Sequence, residues 1–336
     1  MAFDIKTIAT LAGPSADVNK DGNAINFYAL TYFEVSAPGE QHGQPIEDLP
    51  AETSSTNINS VGAGVDNHLK IAGDIKGDGR RKITYDGSGG GWIKLQDGDT
   101  DDFTLEDISV EKTGGKDEVC IDGISMSEDG FGIAIKNVIM IGWDKGVFIA
   151  AGFSANNTLL ENVLFLSCNR GLHYIQNVAG TLITGKNCGA AKCTTSGFEV
   201  GTSVNTNFKL FNCWGMNKDA GGKDFENNAS SAGTREINDG ISSDDSATNG
   251  SWTSTTGSVI NKNATGAYFI DFTNNDVHLT DTANALWGVT PDSANTPAVD
   301  LDNVTRTGDD SGPFENVSAG LSIPVAIHNY RRRRVA

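Results

Sequence analysis

Two groups of residues in this 336-residue chain have side chains with which an enzyme could act. Arg170, His173 and Tyr174 fall close together and offer the base and the cation that β-elimination from a uronic acid requires. The adjacent acids Asp101/Asp102, Asp244/Asp245 and Asp309/Asp310 raise a second chemistry, because glycoside hydrolysis needs two carboxylates facing each other across a sugar. Neither signal is specific. With 43 acidic residues in the chain, adjacent pairs arise by chance. His173, for its part, falls in one column with Phe148 and Phe198 when the chain is written as repeats, so it is expected to face inward as a core histidine. The stretch "DVNKDGN" places Asp17, Asn19 and Asp21 at calcium-loop spacing, yet Tyr28 stands where the closing Glu is required, which leaves a weak Ca²⁺ candidate. No Cys/His spacing suits zinc, no phosphate-binding loop is present, and the basic run Arg80, Arg81, Lys82 reads as a solvated turn. No cofactor is expected.

What could position such groups is legible in a period. Segments starting at Ile133, Thr158, Ile183 and Phe208 align as "IAIKNVIMIGWDKGVFIA", "TLLENVLFLSCNRGLHYI", "ITGKNCGAAKCTTSGFEV" and "FKLFNCWGMNKDAGGKDF". Asn137, Asn162, Asn187 and Asn212 share a column at intervals of 25 residues. Val138, Val163, Cys188 and Cys213 follow in the next, and Cys168 recurs as Cys193. A polar column, Asp144, Asn169, Thr194 and Asp219, comes later, then glycines at 146, 171 and 221. Periods of this length mark solenoids. Apolar runs of four to six residues broken by Asn, Asp and Gly are strands joined by turns, so each repeat is one coil of short strands, and stacked coils make parallel sheets.

Equivalent positions on adjacent coils lie about 4.8 Å apart. An Asn at every coil can therefore donate its amide to the next and form a structural ladder, which spares buried amides an unpaired cost of about 1–3 kcal/mol each. The register extends less regularly upstream, where Asp107 takes the Asn position 30 residues before Asn137, and the polar stretch 226–265 is either a set of thin coils or a loop leaving the stack. The expected organisation is a cap and wrapping segment over 1–64, coils over 65–265, a closing segment over 266–315 and a strand with an Arg-rich tail over 316–336. Open strand edges at a solenoid's ends need covering, and "NAINFYALTYFE", Asn23 to Glu34, is the expected N-terminal cap helix.

The coils resemble the right-handed parallel β-helix repeats of the pectate-lyase-like superfamily, in which an Asn ladder at one turn recurs. The segment 267–315 resembles the C-terminal finish of environmental and bacteriophage β-helix proteins. Asn275, Asp276, His278 and Leu279 carry its first element, Asp300, Asp302 and Arg306 its second, and Asp310, Gly312, Phe314 and Glu315 its third. Asn303 and Pro313 depart from that pattern, in turns that tolerate them. The resemblance covers roughly 65–315 and implies fold far more than activity, because the superfamily holds lyases, hydrolases, adhesins and virion proteins.

Composition narrows partners. A net charge of −18 disfavours nucleic acid and anionic membranes, and no apolar run reaches 18 residues. Arg331, Arg332, Arg333 and Arg334 break the acidic pattern and read either as a solvated basic tail or as a docking peg for an acidic partner surface, on other virion proteins or a neighbouring copy. The start "MAFDIKTIATLAG" lacks signal-peptide features, and the five cysteines are expected reduced. The expectation is thus an all-β, right-handed parallel β-helix serving as a non-enzymatic structural protein on a bacteriophage virion, made in the host cytoplasm and assembled as a homo-oligomer, with a trimer as one form. Contact with a cell-surface glycan would fall to Trp143, Arg170 and Tyr174, with Trp214 a further stacking candidate. A tail-spike lyase or hydrolase is the alternative.

Overall fold

The computed structural model describes residues 91–96, 102–125, 132–149, 157–175, 182–202, 207–230, 233–263, 267–280, 288–302, 305–306 and 310–314, with the strands Asp4–Thr7, Ile25–Tyr28, Thr56–Ile58, His68–Ala72 and Arg81–Tyr85. The fold is an all-β parallel solenoid of about five turns. Its first face stacks the strands Asn157–Glu161, Leu182–Lys186, Asn207–Phe211 and Arg235–Asn238 onto the leading halves of Asp102–Lys112 and Gly132–Ile141. The second face carries the trailing halves of those two long strands, then Leu164–Leu166, Gly189–Ala191, Trp214–Met216 and Ile241–Ser242. The third face runs from Thr56–Ile58 through Ile93–Gln96, Val119–Ser125, Lys145–Ile149, Arg170–Tyr174 and Ser196–Val200 to Lys223–Asn227. All pairs on these faces are parallel.

The corner between the first and second faces is the Asn column. Asp107, Asn137, Asn162, Asn187, Asn212 and Asp239 all adopt the left-handed conformation, with φ between 49° and 56°. Asn and Asp tolerate that region better than other side chains, which is why the column is so restricted in type. Inside the bend, Ile108, Val138, Val163, Cys188 and Cys213 are fully buried and stack like on like. All five cysteines are free and buried. A second left-handed corner follows at Gly142, Ser167 and Lys192. Beyond it the polar column forms a short ladder of its own, with Asn169 Nδ2 donating to Asp144 Oδ1 at 3.0 Å and Thr194 Oγ1 donating to Asn169 Oδ1 at 2.9 Å.

The 25-residue interval fails on the third face. Lys145 pairs with Arg170, but Arg170 pairs with Ser196, one residue later than the repeat predicts, and Ser196 with Lys223, two residues later. The first extra residue is absorbed where the amides of Thr195 and Ser196 both donate to the Asn169 carbonyl, and the next coil takes up its excess in the turn Lys218–Ala220. A one-residue shift exchanges the two faces of a strand. His173 therefore stands in a column with Phe148 and Glu199, outside, and not with Phe198. Tyr174 joins Ile149 and Val200 inside and is fully buried. Phe165, Phe198 and Phe225 fill this part of the interior, Phe165 edge-on to Phe198 with centroids 6.0 Å apart and Phe198 stacked on Phe225 at 5.4 Å. The glycine at 171 makes room for them: a Cβ there would lie 2.8 Å from the Phe165 ring.

The last coil ends on side chains. The edge amides of Lys223–Asn227 donate to Asp244 Oδ2 from Asp224 and to Ser246 Oγ from Phe225, so the strand edge is closed without a further strand. This settles the 226–265 stretch: Arg235–Asn238 and Ile241–Ser242 complete the first two faces, and the following segment folds over the end, with bridges Glu236↔Ser254 and Ile241↔Val259. At the other end the expected cap helix is not seen. Four of its residues, Ile25–Tyr28, form a strand paired with Asp4–Thr7 and His68–Ala72, as their β-branched and aromatic content favours, and the remainder lies outside the described residues.

The Asn column makes a direct stability prediction. Asn162→Leu strands its partners, at about 1–3 kcal/mol, and forces a side chain disfavoured at φ 52°, at about 1–2 kcal/mol more. Asn162→Gly should lose only the first part. Urea unfolding of the two variants checks this, and equal losses would remove the conformational contribution.

Candidate functional site

The outer side of the third face is where the expected Arg170–His173–Tyr174 group resolves into its parts. Tyr174 is interior. Arg170 Nε donates to Glu199 Oε2 at 2.7 Å, the Ser196 hydroxyl donates to the same oxygen at 2.7 Å, and His173 Nε2 lies 3.4 Å from Glu199 Oε1. The imidazole stacks on Phe148, with centroids 5.1 Å apart, and Lys145 Nζ sits 4.5 Å over the Phe148 ring while pairing with Asp144 at 3.1 Å. Glu226 follows Glu199 on the next coil and is held by Lys223 at 2.8 Å.

Burial drives the His173 pKa down, and the charges of Arg170 and Lys145 add to it against the opposing pull of Glu199, so the ring is neutral at pH 7. Burial pushes the Glu199 carboxyl up, but the Ser196 hydroxyl, His173 and Arg170 outweigh it and leave its pKa below the ordinary value. A general acid needs the reverse. The carboxylate also sits between the hydroxyl and the imidazole, so Ser196 donates to a weakly basic carboxylate and not to the imidazole, unlike a nucleophile paired with a histidine base. Glu199 and Glu226, on neighbouring rungs about 4.8 Å apart, come closest to a glycosidase pair, but each is bound by a cation.

A denser set of polar contacts lies on the corner and second face, where the closing segment docks. Its hairpin, Phe269–Asp271 with Asp276–Leu279, and the residues Val289, Leu301 and Phe314 pack on Leu164, Leu166, Ala191, Trp214, Met216 and Ile241. The Asn column is the polar half of the same seam. Asn162 Nδ2 donates to the Val299 carbonyl at 2.8 Å, Asn187 Nδ2 to the Asp310 carbonyl at 2.8 Å, and Asn212 Nδ2 to the Asp292 carbonyl at 3.0 Å. The ladder itself is in two parts. Asn137 donates to Asp107, Asn162 to Asn137, and Asn212 to Asn187. Between them, Asn162 Oδ1 accepts from Arg306 Nη2 at 3.2 Å, and the same guanidinium donates to the carbonyls of Asp310 and Gly312.

The other residues of the closing pattern converge here. Gly312 donates its amide to the Asn212 carbonyl at 2.7 Å with φ 90°, and a Cβ on it would fall 1.8 Å from Trp214 Nε1. His278 lies 4.2 Å from Phe314 by ring centroids, its Nδ1 bonded to Asp276 and its Nε2 to Asp302 at 2.7 Å. Burial opposes the charged ring, but the two carboxylates prevail and raise its pKa to about 9. A further site was not visible in the sequence. Asp224, fully buried, accepts from the amides of Asn217, Ser243 and Asp244 and from the hydroxyls of Ser242 and Ser243. Burial, with Asp244 nearby, lifts its pKa to about 6. Only the clustered Ser and Asp of "GISSDDS" hint at it.

Of the candidate sugar contacts, Trp143, Tyr174 and Trp214 are all fully buried and offer no ring to a ligand; Trp143 bonds the Val110 carbonyl inside the coil, and Trp214 lies under Phe269. Their large apolar rings are worth more in a narrow core than at its surface. Arg170 alone of the set reaches the surface. Asp17, Asn19, Asp21 and Arg331–Arg334 lie outside the described residues. Among the described residues no group of three or more His, Cys, Asp or Glu is placed to hold a metal, and no helix is long and apolar enough to cross a membrane. Comparison with known proteins finds no matching family model, curated protein or solved structure.

The seam yields two expectations. The folded pKa of His278 lies above the ordinary 6.5, so the folded protein holds the extra proton. Its contribution is complete below about pH 6.5, declines as pH rises and is gone above about pH 9. Urea unfolding from pH 6 to 10 should show a fall of roughly 1–3 kcal/mol that His278→Gln lacks. Gly312→Ala should detach the closing segment, seen as faster amide exchange at Leu164, Ala191 and Trp214 with the third face still protected.

Proposed function

We propose that this chain is a non-enzymatic structural protein of a bacteriophage virion surface, of the decoration, fibre or tail-spike type, related to the pectate-lyase-like β-helix proteins. The observation that carries the reading is the use made of the chemically able residues. Asp276, His278, Asp302, Arg306 and Gly312, which bear the resemblance to phage β-helix finishes, are engaged with the solenoid or with one another in the closing seam. On the third face Arg170, Ser196 and His173 converge on one carboxylate. A body that spends these particular groups on holding itself together suits a rigid surface element, whose parallel coils are hydrogen-bonded rung to rung. In this reading Arg331–Arg334 dock on acidic virion proteins, the chain assembles as a homo-oligomer, and any glycan contact runs along the third face at Arg170.

A polysaccharide lyase or hydrolase is the second reading, favoured by one feature: Glu199 and Glu226 in register, beside a His173 whose Nδ1 has no hydrogen-bond partner among the described residues. Incubation with acidic and neutral polysaccharides separates the two. No unsaturated ends absorbing in the ultraviolet and no new reducing ends are expected. Release of either, abolished by Glu199→Gln, would replace the structural reading. Deleting Arg331–Arg334 should prevent incorporation into particles while leaving the isolated protein folded.

A further inference from the structure

The three faces of the solenoid treat their charges differently. On the third face cations are matched with acids of their own: Lys145 with Asp144, Arg170 with Glu199, Lys223 with Glu226. The second face lies under the closing segment. The first face has a column of a different kind, in which Glu106, Lys136, Glu161, Lys186 and Phe211 stand on five successive rungs in strict register. All five are half-buried on the outward side of strands whose alternate residues fill the core. The charges alternate in sign at each step, yet Lys136, Glu161 and Lys186 make no ion pair among the described residues, whereas Lys209 and Glu236 in the next column pair at 3.2 Å. That neighbouring column is small or apolar at its centre, with Ala134, Leu159 and Thr184.

We infer that the first face is a docking surface for a second copy of this chain, packed antiparallel about a twofold axis that runs along the strands between the Lys136 and Glu161 rungs. That operation reverses rung order and keeps lateral position. It sets Lys136 against the other copy's Glu161 and Glu106 against its Lys186, each twice by symmetry, and Ala134 against Leu159. With the two solenoids parallel, the same column would meet itself sign on sign, which is repulsive. Two bodies of net charge −18 need a locally neutral place to meet, and the alternating column supplies one. Five rungs by five residues measure roughly 20 by 17 Å, about half the ~800 Å² per partner of a standard interface, so the pair is weak and salt-sensitive. This gives the proposed homo-oligomer a surface and a symmetry, and its failure would leave the virion reading untouched.

The test is sedimentation equilibrium of the full chain over a concentration series at low and high salt. The wild type should self-associate to a dimer at low salt and lose it at high salt. Lys136→Glu and Glu161→Lys should each weaken the dimer about 10-fold or more, since each turns two attractions into repulsions, with unchanged melting temperatures. Mixed in equal amounts, the two variants should pair with each other, because the acid introduced at position 136 of one then faces the base introduced at position 161 of the other. A wild type that stays monomeric throughout, a Lys136→Glu variant that dimerises as well as the wild type, or two variants that remain monomeric when mixed would each overturn the proposal.

Discussion

Each coil has to turn from the first face to the second within one residue, and a left-handed backbone does it. That conformation at Asp107, Asn137, Asn162, Asn187, Asn212 and Asp239 fixes what else the corner can be. The residue must be Asn, Asp or Gly-like, and if it is Asn its amide must find partners. A run of identical amides at about 4.8 Å spacing can satisfy part of this demand by itself. The remaining valences point outward and require a second layer. The closing segment is that layer, and its carbonyls at Asp292, Val299, Asp310 and Gly312 meet the column amide by amide. The ladder is therefore both an internal brace and a row of attachment points.

Seen this way, the break in the ladder between Asn162 and Asn187 has a physical cause. A guanidinium is a stronger donor than a side-chain amide, and Arg306 takes Asn162 Oδ1 while also binding two carbonyls of its own segment. One rung of the ladder is exchanged for a clamp that ties three stretches of chain at once. His278 does the same at the hairpin, with one imidazolium between two carboxylates. Both devices place a charge where burial is incomplete, so the desolvation cost stays moderate while the charge-assisted bonds remain short.

How far the sequence could be read follows from the range of each interaction. The Asn column, the buried cysteines and the parallel stacking were legible because they repeat, and a repeat exposes its own periodicity. The residues of the closing pattern were legible as a group, but their purpose was not, since the contact of Arg306 with Asn162 spans 144 residues and leaves no local trace. The third face defeated the reading through a single inserted residue near Thr195. That residue changes no composition and barely disturbs the alignment, yet it puts Glu199, not Phe198, in the column of His173, which lies outside with Phe148 while Tyr174 lies inside. Trp143 and Trp214 went astray for a different reason: in a coil this narrow, a large ring is the cheapest way to fill the interior, whatever its value to a ligand.

These constraints also explain why the faces differ. The second face cannot carry outward function, because the corner amides oblige the closing segment to lie there. The third face absorbs the insertions; its shifted register brings Glu199 beside Arg170 of the preceding coil, and Lys145 and Lys223 find acids within their own coils, which neutralises them locally. The first face keeps the unbroken interval of 25 residues from Asn157 to Phe211, as the covered second face does from Leu164 to Met216, so its outward columns stay aligned and unmixed. Regularity is what allows a column of single charges to alternate over several rungs without pairing across them. Whatever this molecule presents to another body in an ordered array, the first face is where its architecture permits the array to exist.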